Sequence, residues 1–256
     1  MRIAHFSDIH FGTEQPEVVE GLAARLEELS PDLIIASGDF TMAGRHGEYE
    51  RARAFLERLE PPVIATPGNH DLPVYNLFAR FFRPLERYRR YVELVTVSSV
   101  TVEGVALISV NSARPWDLSF DWSHGHLSSK QIDEVDRFFD SATDAAFKGL
   151  VVHHPFVLPE DLPRFRTIGN ADAMLAVLAK HGVQAAFAGH LHRQFSATRE
   201  LPVESGTYEL RVLQVATATS SRRRDQPNAF ALYTIEGGEI EVEEQIWDGA
   251  RFSPRG

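Results

Sequence analysis

Residues 62–71 contain the apolar run Pro62-Val63-Ile64-Ala65 and, two residues later, the polar stretch Gly68-Asn69-His70-Asp71. The apolar run predicts a short buried strand, and Gly68 predicts a tight turn at its end. The turn then presents an amide, an imidazole and a carboxylate at a strand end, where open α/β sheets place ligands. The same four residues are also typical of an ordinary turn. The interpretation therefore depends on what else converges there.

Four other predicted strands end in polar residues of the same kind. They cover residues 3–6, 32–36, 149–152 and 183–187, and the residues that follow them are Asp8 and His10, Asp39, His153, and His190 with His192. Helical periodicity at 16–29 and 49–59 separates the first three strands, and this alternation predicts parallel strands joined by right-handed crossovers. Such strands end at the same edge of a sheet, so we expect these side chains to meet.

The 256-residue chain is 43% hydrophobic and carries a formal net charge of −10. It is long enough to bury a full core and contains no linker-like tract, so we predict one domain over residues 1–256. No apolar run approaches the roughly 20 residues of a membrane span, so we expect no membrane insertion and a cytoplasmic location. The negative charge argues against a stable nucleic-acid partner, but it leaves a small anionic substrate and a homo-oligomer open.

The chain has no cysteine and eleven histidines. Disulfides, thiolate metal sites and cysteine nucleophiles are therefore excluded, and any metal must be held by nitrogen and oxygen ligands. Imidazoles with carboxylates suit zinc, manganese or iron. The polar strand ends supply enough ligands for two ions with one carboxylate between them.

The middle of the chain departs from simple alternation. Residues 92–110 read as a hairpin around Glu103-Gly104, which predicts that the sheet becomes mixed. Residues 74–90 interleave aromatic rings with arginines. We expect the rings to pack inward and the arginines to face solvent, and nucleic-acid binding is the alternative interpretation. Ser128 or Ser129 is predicted to cap the next helix.

As a set, Asp8-x-His10, Gly38-Asp39, Gly68-Asn69-His70-Asp71, His153 and Gly189-His190-x-His192 resemble the motifs of the calcineurin-like metallophosphoesterase superfamily. The resemblance covers residues 8–192 and implies an α/β fold, a four-layer αββα sandwich with two mixed β-sheets flanked by helices. It also implies two divalent or mixed-valence metal ions, Mn²⁺, Fe²⁺/Fe³⁺ or Zn²⁺. By this pattern one ion would be held by Asp8, His10 and His192, the other by Asn69, His153 and His190, and Asp39 would bridge them. His154 is the alternative to His153.

Residues 38–41 and His153-His154-Pro155-Phe156 are similar to bacterial class III cyclic-nucleotide phosphodiesterases and related glycerophosphodiesterases. The similarity implies hydrolysis of a small phosphodiester, such as a 3′,5′-cyclic nucleotide, by attack of a metal-bridging hydroxide. A phosphomonoesterase or a nucleotide-sugar pyrophosphatase with the same centre is an alternative, and a non-catalytic binding module is an alternative from another class. Met42 departs from the pattern, because many of these relatives have Asp there.

His70 follows the Asn69 ligand, and we predict that it acts on the leaving-group oxygen. Asp71 is predicted either to orient His70 or to cap the segment from Leu72. The predicted substrate contacts are Asn111, Arg114, Trp116 and Arg222, because arginine suits phosphate oxygens and tryptophan suits a base or aryl ring. For Arg222-Arg223-Arg224 a solvated loop is the alternative. His5, His46 and His181 are predicted to be structural.

Overall fold

The computed structural model describes residues 1–116, 123–159, 161, 165–204, 206–222 and 225–255. The helices are α1 (Pro16–Leu29), α2 (His46–Leu56), α3 (Leu77–Phe82), α4 (Glu86–Tyr88, continued by a π-helical turn over Arg89–Glu93), α5 (Ser129–Ser141) and α6 (Ala171–Lys180). The strands are β1 (Arg2–Phe6), β2 (Leu33–Ala36), β3 (Val63–Ala65), β4 (Ser99–Val102), β5 (Val105–Ser109), β6 (Phe147–Val151), β7 (Ala185–Ala188), β8 (Phe195–Val203), β9 (Gly206–Gln214), β10 (Ala229–Glu236), β11 (Glu239–Trp247) and β12 (Phe252–Pro254).

The strands form two mixed sheets of six. The first has the order β12-β11-β10-β1-β2-β3, and the second has the order β4-β5-β6-β7-β9-β8. Strands β1, β2 and β3 run parallel, as do β5, β6, β7 and β9, and antiparallel strands flank both parallel parts. The predicted hairpin is β4 and β5, which pair through Val102 and Val105.

Alternation along the strands separates the layers. In β1, Ala4 and Phe6 pack with α1 and α2 on the outer face of the first sheet, whereas Ile3 packs with residues of the second sheet. Helices α5 and α6 cover the outer face of the second sheet. Successive strand residues point to opposite faces, so each sheet has two apolar faces to bury. The result is the four-layer αββα sandwich, which confirms the predicted fold class.

The helix ends follow local sequence signals. Helix α1 begins with Pro16 at its first turn and ends at Ser30, which takes a left-handed conformation with φ of 44°. Helix α5 is capped by Ser128, as predicted: its hydroxyl accepts from the Gln131 amide, and the Gln131 side chain accepts from the Ser128 amide. Among the described ranges, none of the helices combines the length and the apolar character that crossing a membrane requires.

The expectation that the aromatic rings of residues 74–90 pack inward and the arginines outward is wrong for α3. Phe78 and Phe82 expose 67% and 72% of their surface, whereas Arg80 is only 1% exposed. The Arg80 side chain donates from Nε to the Pro115 carbonyl at 2.8 Å and from Nη1 to the Pro73 carbonyl at 3.3 Å. Buried carbonyls in loops need donors, and a long guanidinium side chain supplies them where a ring does not.

His5 lies between the two sheets and is fully buried. Its Nε2 is 2.8 Å from the Ser37 hydroxyl, its Nδ1 is 3.0 Å from the Tyr233 hydroxyl, and its ring meets the edge of Phe187. Burial lowers the pKa of His5 to about 3. The side chain is therefore neutral at physiological pH, in keeping with the structural role predicted for it.

Replacing His5 with Asn should flatten the pH dependence of folding stability. The folded pKa of about 3 lies below the ordinary value of 6.5. Between these values the unfolded chain binds the extra proton, so stability falls as the pH falls. One histidine contributes at most about 1.4 kcal/mol per pH unit in this window. Urea unfolding at several pH values measures the slope. The exposed His46→Asn variant should keep the wild-type slope, and an unchanged slope in His5→Asn would contradict the prediction.

Candidate metal centre

All the predicted metal ligands lie at one edge of the sandwich, just beyond the carboxyl ends of β1, β2, β3, β6 and β7. Their side chains are buried. At this edge, two groups have potential ligand atoms within 4.8 Å of one another: Asp8, His10, Asp39 and His192 in the first, and His153, His154 and His190 in the second. The sequence therefore identified residues that the fold brings together.

Asp39 lies between the two groups. Its Oδ2 is 3.7 Å from Nε2 of His10 in the first group and 3.3 Å from Nε2 of His153 in the second. Its Oδ1 accepts from the His70 amide at 2.8 Å, which fixes the orientation of the carboxylate. One oxygen is thus held by the main chain, and the other faces imidazoles of both groups.

Asp8 is held in a similar way. Its Oδ2 accepts from the His190 amide at 3.0 Å, while its Oδ1 lies 3.3 Å from Nε2 of His192 and 3.6 Å from Nε2 of His10. The two buried carboxylates therefore each direct one oxygen toward imidazole nitrogens, and both oxygens face Nε2 of His10.

Hydrogen bonds to carbonyls fix the tautomers of three histidines. Carbonyl oxygens only accept, so the imidazole nitrogens facing them must carry the proton. The Nδ1 atoms of His10, His153 and His192 contact the carbonyls of Thr41, Ser37 and Arg222 at 3.3, 2.8 and 2.6 Å. Their Nε2 atoms therefore face inward, and those of His10 and His192 lie only 3.3 Å apart. Imidazoles oriented in this way can bind metal through Nε2 when that atom carries no proton.

The site has the unmet bonding capacity that a cation would satisfy. Asp8 Oδ1, Asp39 Oδ2 and His153 Nε2 are buried and have no hydrogen-bond partner in the described part of the chain. Buried polar atoms are nearly always bonded, and unpaired buried charge is costly. Two carboxylate oxygens and several imidazole lone pairs around one space fit divalent metal ions.

The electrostatics favour ionised carboxylates. Burial by itself raises the pKa of Asp39, but His153, His70 and His10 hold it well below the usual range. Burial likewise opposes ionisation of Asp8, and neighbouring histidines, chiefly His192, keep its pKa low. Both groups therefore carry negative charge at neutral pH.

The histidines of the second group differ in their proton affinity. Burial lowers the pKa of His190 to about 3, so its ring is neutral. Burial has the same effect on His153, but Asp39 overcomes it and raises the His153 pKa to about 9. A proton and a metal ion therefore compete for Nε2 of His153, and metal binding there releases a proton.

Asn69 completes the second group. Its Oδ1 lies 3.1 Å from Nδ1 of His190. His154 instead directs Nδ1 to the Ser112 hydroxyl at 2.8 Å, with its ring beside that of His190. Because His153 faces Asp39 and His154 does not, the geometry favours His153 over the alternative ligand.

His70 stands at the edge of the first group, with its ring edge-on to that of His10. Its Nδ1 contacts the Met42 carbonyl at 2.8 Å, and its Nε2 lies 3.0 Å from Nη1 of Arg222. Burial lowers the pKa of His70. The ring is thus neutral and is held on both sides.

Asp71 does not contact the His70 ring, which the Met42 carbonyl orients, so the predicted direct orientation is wrong. Its Oδ1 accepts from the amide and hydroxyl of Thr41, and its Oδ2 accepts from the amides of Phe40 and Gly68. The capping alternative is wrong too, because these donors precede Leu72. Four donors already surround the carboxylate, so Asp71 ties the loop after β2 to the loop after β3.

Five of the predicted ligands adopt left-handed backbone conformations. Asp8, His10, Asp39, His190 and His192 have φ values of 55°, 51°, 54°, 75° and 56°. Such conformations are costly for residues with a Cβ and persist only where the surroundings hold them. The loops after β1 and β2 hold one another through hydrogen bonds from the Asp8 and His10 amides to the carbonyls of Gly38 and Asp39, both 3.0 Å long.

Gly68 is required for a different reason from the predicted sharp bend. Its φ is −102°, which any residue adopts. A Cβ at this position would lie 2.1 Å from Asp39 Oδ1 and 2.6 Å from the Asp39 amide nitrogen. Glycine is therefore needed because the main chain of one ligand loop passes directly against the carboxylate of another.

Of the four predicted substrate contacts, Arg222 is at the centre and the other three lie along the segment after β5. Asn111 uses Oδ1 to accept from the Ala113 amide, and Arg114 donates to the His124 carbonyl at 3.3 Å. Trp116 is 56% exposed. Arg223 and Arg224 lie outside the described residues.

A sixth strand end, which the sequence did not indicate, also lies at the site. Strand β9 runs parallel to β7, so its carboxyl end reaches the same edge and delivers Thr217 and Arg222. The Thr217 hydroxyl is 2.8 Å from Nδ1 of His192. The arginine triplet that follows β9 is the available signal in the sequence, but periodicity alone does not indicate that β9 pairs in parallel with β7.

Comparison with known proteins gives a consistent assignment. A family model described as calcineurin-like phosphoesterase matches residues 1–194. A probable cyclic nucleotide phosphodiesterase from a Synechococcus strain is 28% identical over 219 residues, or 78% of this chain and 77% of that protein. A glycerophosphodiester phosphodiesterase from Enterobacter lignolyticus is 35% identical over 96 residues, or 33% and 34% of the two chains. A dimetal phosphatase from Danio rerio has the same fold, with a TM-score of 0.66 at 13% identity over 99% of this chain and 98% of that one.

Replacing Asp39 with Asn should reduce metal binding from two ions per chain to at most one. The substitution removes the charge that faces both groups of ligands. Metal analysis after dialysis measures the stoichiometry, and calorimetry measures the rise in Tm on adding Mn²⁺. Asp144→Asn is the matched control, because Asp144 is exposed and belongs to none of the groups of potential metal ligands. Wild-type stoichiometry and an unchanged Tm response in Asp39→Asn would contradict the prediction.

Proposed function

The chain belongs to the calcineurin-like phosphoesterase family and is a metal-dependent phosphoester hydrolase, and from this premise we propose that it hydrolyses a small phosphodiester, such as a 3′,5′-cyclic nucleotide. A relative named as a probable cyclic nucleotide phosphodiesterase matches 78% of the chain, which supports the diester assignment. The net charge of −10 supports a small substrate over a nucleic acid. We also propose that residues 1–256 form one domain, since β10 and β11, near the carboxyl terminus, extend the sheet that begins with β1.

The observation that carries the proposal is the position of Asp39 between two groups of buried ligands. We assign Asp8, His10 and His192 to one ion and Asn69, His153 and His190 to the other, with Asp39 as the bridge. The distances from Asp39 Oδ2 to His10 and His153, 3.7 and 3.3 Å, support a shared carboxylate. Nitrogen and oxygen ligands of this kind suit Mn²⁺, Fe²⁺/Fe³⁺ or Zn²⁺.

When bound, two such ions polarise the phosphoryl oxygens and lower the pKa of water, so that hydroxide is available near neutral pH. The protein's own groups orient this chemistry. The main chain at His70 and at His190 holds the Asp39 and Asp8 carboxylates, and carbonyls hold three imidazoles with Nε2 inward. Pre-oriented ligands need no rearrangement when the substrate arrives, which favours catalysis.

We place His70 on the leaving-group side of the substrate. It follows the Asn69 ligand directly, its amide is fixed by Asp39, and its ring is fixed by Met42. The exposed ring of Trp116, close to Asn111 and Arg114 in the chain, is proposed to contact a base or aryl group of the substrate. Arg222 is proposed to contact phosphate oxygen.

Purified protein supplied with Mn²⁺ should hydrolyse bis(p-nitrophenyl) phosphate faster than p-nitrophenyl phosphate, as measured by p-nitrophenolate absorbance. Asn69→Ala should abolish this turnover, because it removes a ligand of the second ion. Asn76→Ala is the control: Asn76 caps the exposed helix α3 and should affect activity little. Preferential hydrolysis of the monoester would overturn the diester assignment, and full turnover by Asn69→Ala would overturn the metal assignment.

The physiological substrate can then be identified with metal-reconstituted enzyme. A turnover screen should compare cyclic nucleotides, glycerophosphodiesters and nucleotide sugars. We expect the highest kcat/KM among the cyclic nucleotides, and a higher value for either other class would replace the substrate assignment while leaving the metal centre in place.

A further inference from the structure

We infer that Arg222 donates a hydrogen bond to the leaving-group oxygen of the substrate. We also infer that a methionine at position 42, in place of a carboxylate, keeps the Arg222 guanidinium available for this role. The inference rests on the proposed function, because it assigns a group to the same reaction. It is carried by three contacts of Arg222: one to a metal ligand, one to His70 and one to Met42.

The main chain of Arg222 is part of the metal centre. Its carbonyl accepts from Nδ1 of His192 at 2.6 Å and from the Thr217 hydroxyl at 3.1 Å, and its amide donates to the Ser220 hydroxyl at 3.1 Å. The segment that positions the His192 ligand therefore also positions the start of the Arg222 side chain. That side chain is half-buried and directs Nη1 to within 3.0 Å of Nε2 of His70.

The contact between Arg222 and His70 has only one arrangement of hydrogen atoms. A guanidinium has donors and no acceptor, so Nη1 donates and Nε2 of His70 accepts. The remaining imidazole proton lies on Nδ1, where the Met42 carbonyl accepts it at 2.8 Å. The N–H group beside the ring of His70 thus belongs to Arg222, and the His70 atom there is an acceptor. On the side proposed for the leaving group, the available donor is the arginine.

Among the residues that the structure describes, none compensates the charge of the Arg222 guanidinium. In the described ranges Arg222 pairs with no carboxylate, and its second contact is the Met42 sulfur, 3.4 Å from Nη1. A thioether is neutral and only a weak acceptor. If position 42 were aspartate, its carboxylate oxygen would be as many bonds from the main chain as the methionine sulfur is. An aspartate here would therefore reach the guanidinium and neutralise it.

The positive charge of the Arg222 guanidinium can stabilise the leaving oxygen as its bond to phosphorus breaks. As an oxygen nucleophile forms its bond to phosphorus, the bond to the leaving oxygen breaks and its electron pair stays on that oxygen. Arg222 stabilises the resulting negative charge by donating from Nη1, without losing its proton, and solvent water supplies the proton that the alkoxide takes up. A hydrogen bond of this kind matters most when the leaving group is strongly basic.

The test measures how kcat depends on leaving-group acidity, with a series of substituted phenyl phosphodiesters and Mn²⁺-loaded enzyme. For Arg222→Gln we expect kcat to fall about 100-fold with the most basic leaving group, and clearly less with p-nitrophenolate. A plot of log kcat against the pKa of the leaving group should therefore have a steeper slope for Arg222→Gln than for the wild type. Arg199→Gln, an exposed arginine on β8, is the control and should keep the wild-type dependence.

Substitutions at position 42 test the second half of the inference without changing the arginine. Met42→Asp should steepen the leaving-group dependence in the same direction as Arg222→Gln, because the new carboxylate pairs with the guanidinium. Met42→Leu should retain the wild-type dependence, since it adds no charge and leaves the main-chain carbonyl that holds His70. Wild-type behaviour of Met42→Asp would overturn the role of Met42.

Equilibrium binding gives a readout without turnover. Calorimetric titration of Zn²⁺-loaded protein with inorganic phosphate should show a Kd about tenfold or more higher for Arg222→Gln than for wild type. An equal Kd together with an unchanged leaving-group dependence would overturn the inference alone. An absence of phosphodiester hydrolysis by the metal-loaded wild type would overturn the proposed function as well, so the two failures are distinguishable.

Discussion

The rest of this structure depends on two carboxylates, Asp8 and Asp39, buried against one another and against a ring of imidazoles. Like charges in a dry interior repel strongly, and their desolvation is costly, so the arrangement requires positive charge in the space they share. Each carboxylate is fixed by an amide on one side and left unbonded on the other. The fold therefore holds the protein's most unfavourable groups in the orientation in which metal ions make them favourable.

The loops that hold these carboxylates adopt unfavourable backbone conformations, and packing in the rest of the sandwich stabilises them. Five predicted ligands have left-handed backbones, and the loops that carry them are secured by one another rather than by regular structure. Asp71 is central to this, because its carboxylate collects donors from the loops after β2 and β3. The residue next to His70 thus acts on the shape of the site through the main chain, and the large apolar core between the sheets provides the rigidity.

One segment departed from the pattern that the sequence suggested, and another has a strand pairing that the sequence did not indicate. Each result has a physical reason. In α3 the arginine is buried and the rings are exposed, because loop carbonyls near Pro73 and Pro115 require a donor that only Arg80 supplies. In the carboxyl-terminal third, β9 pairs in parallel with β7, so Arg222 reaches the metal centre. Neither result follows from hydrophobic periodicity, because both depend on partners distant in the chain.

The sequence by itself determined which strands end in polar clusters, because strand periodicity, Gly-containing turns and polar residue types are local properties, and the resemblance of those clusters to a known family predicted the fold class and the ligand set. It did not determine which atoms face one another. Only the tertiary structure decided that Asp39 lies between the two groups and that the Met42 carbonyl rather than Asp71 contacts the His70 ring. It also decided that Gly68 leaves room for the Asp39 carboxylate and that Arg222 contacts both His192 and His70. The physical reason is that these relations are fixed by the packing of two sheets and the register of their strands, which join residues as far apart as Asp8 and His192.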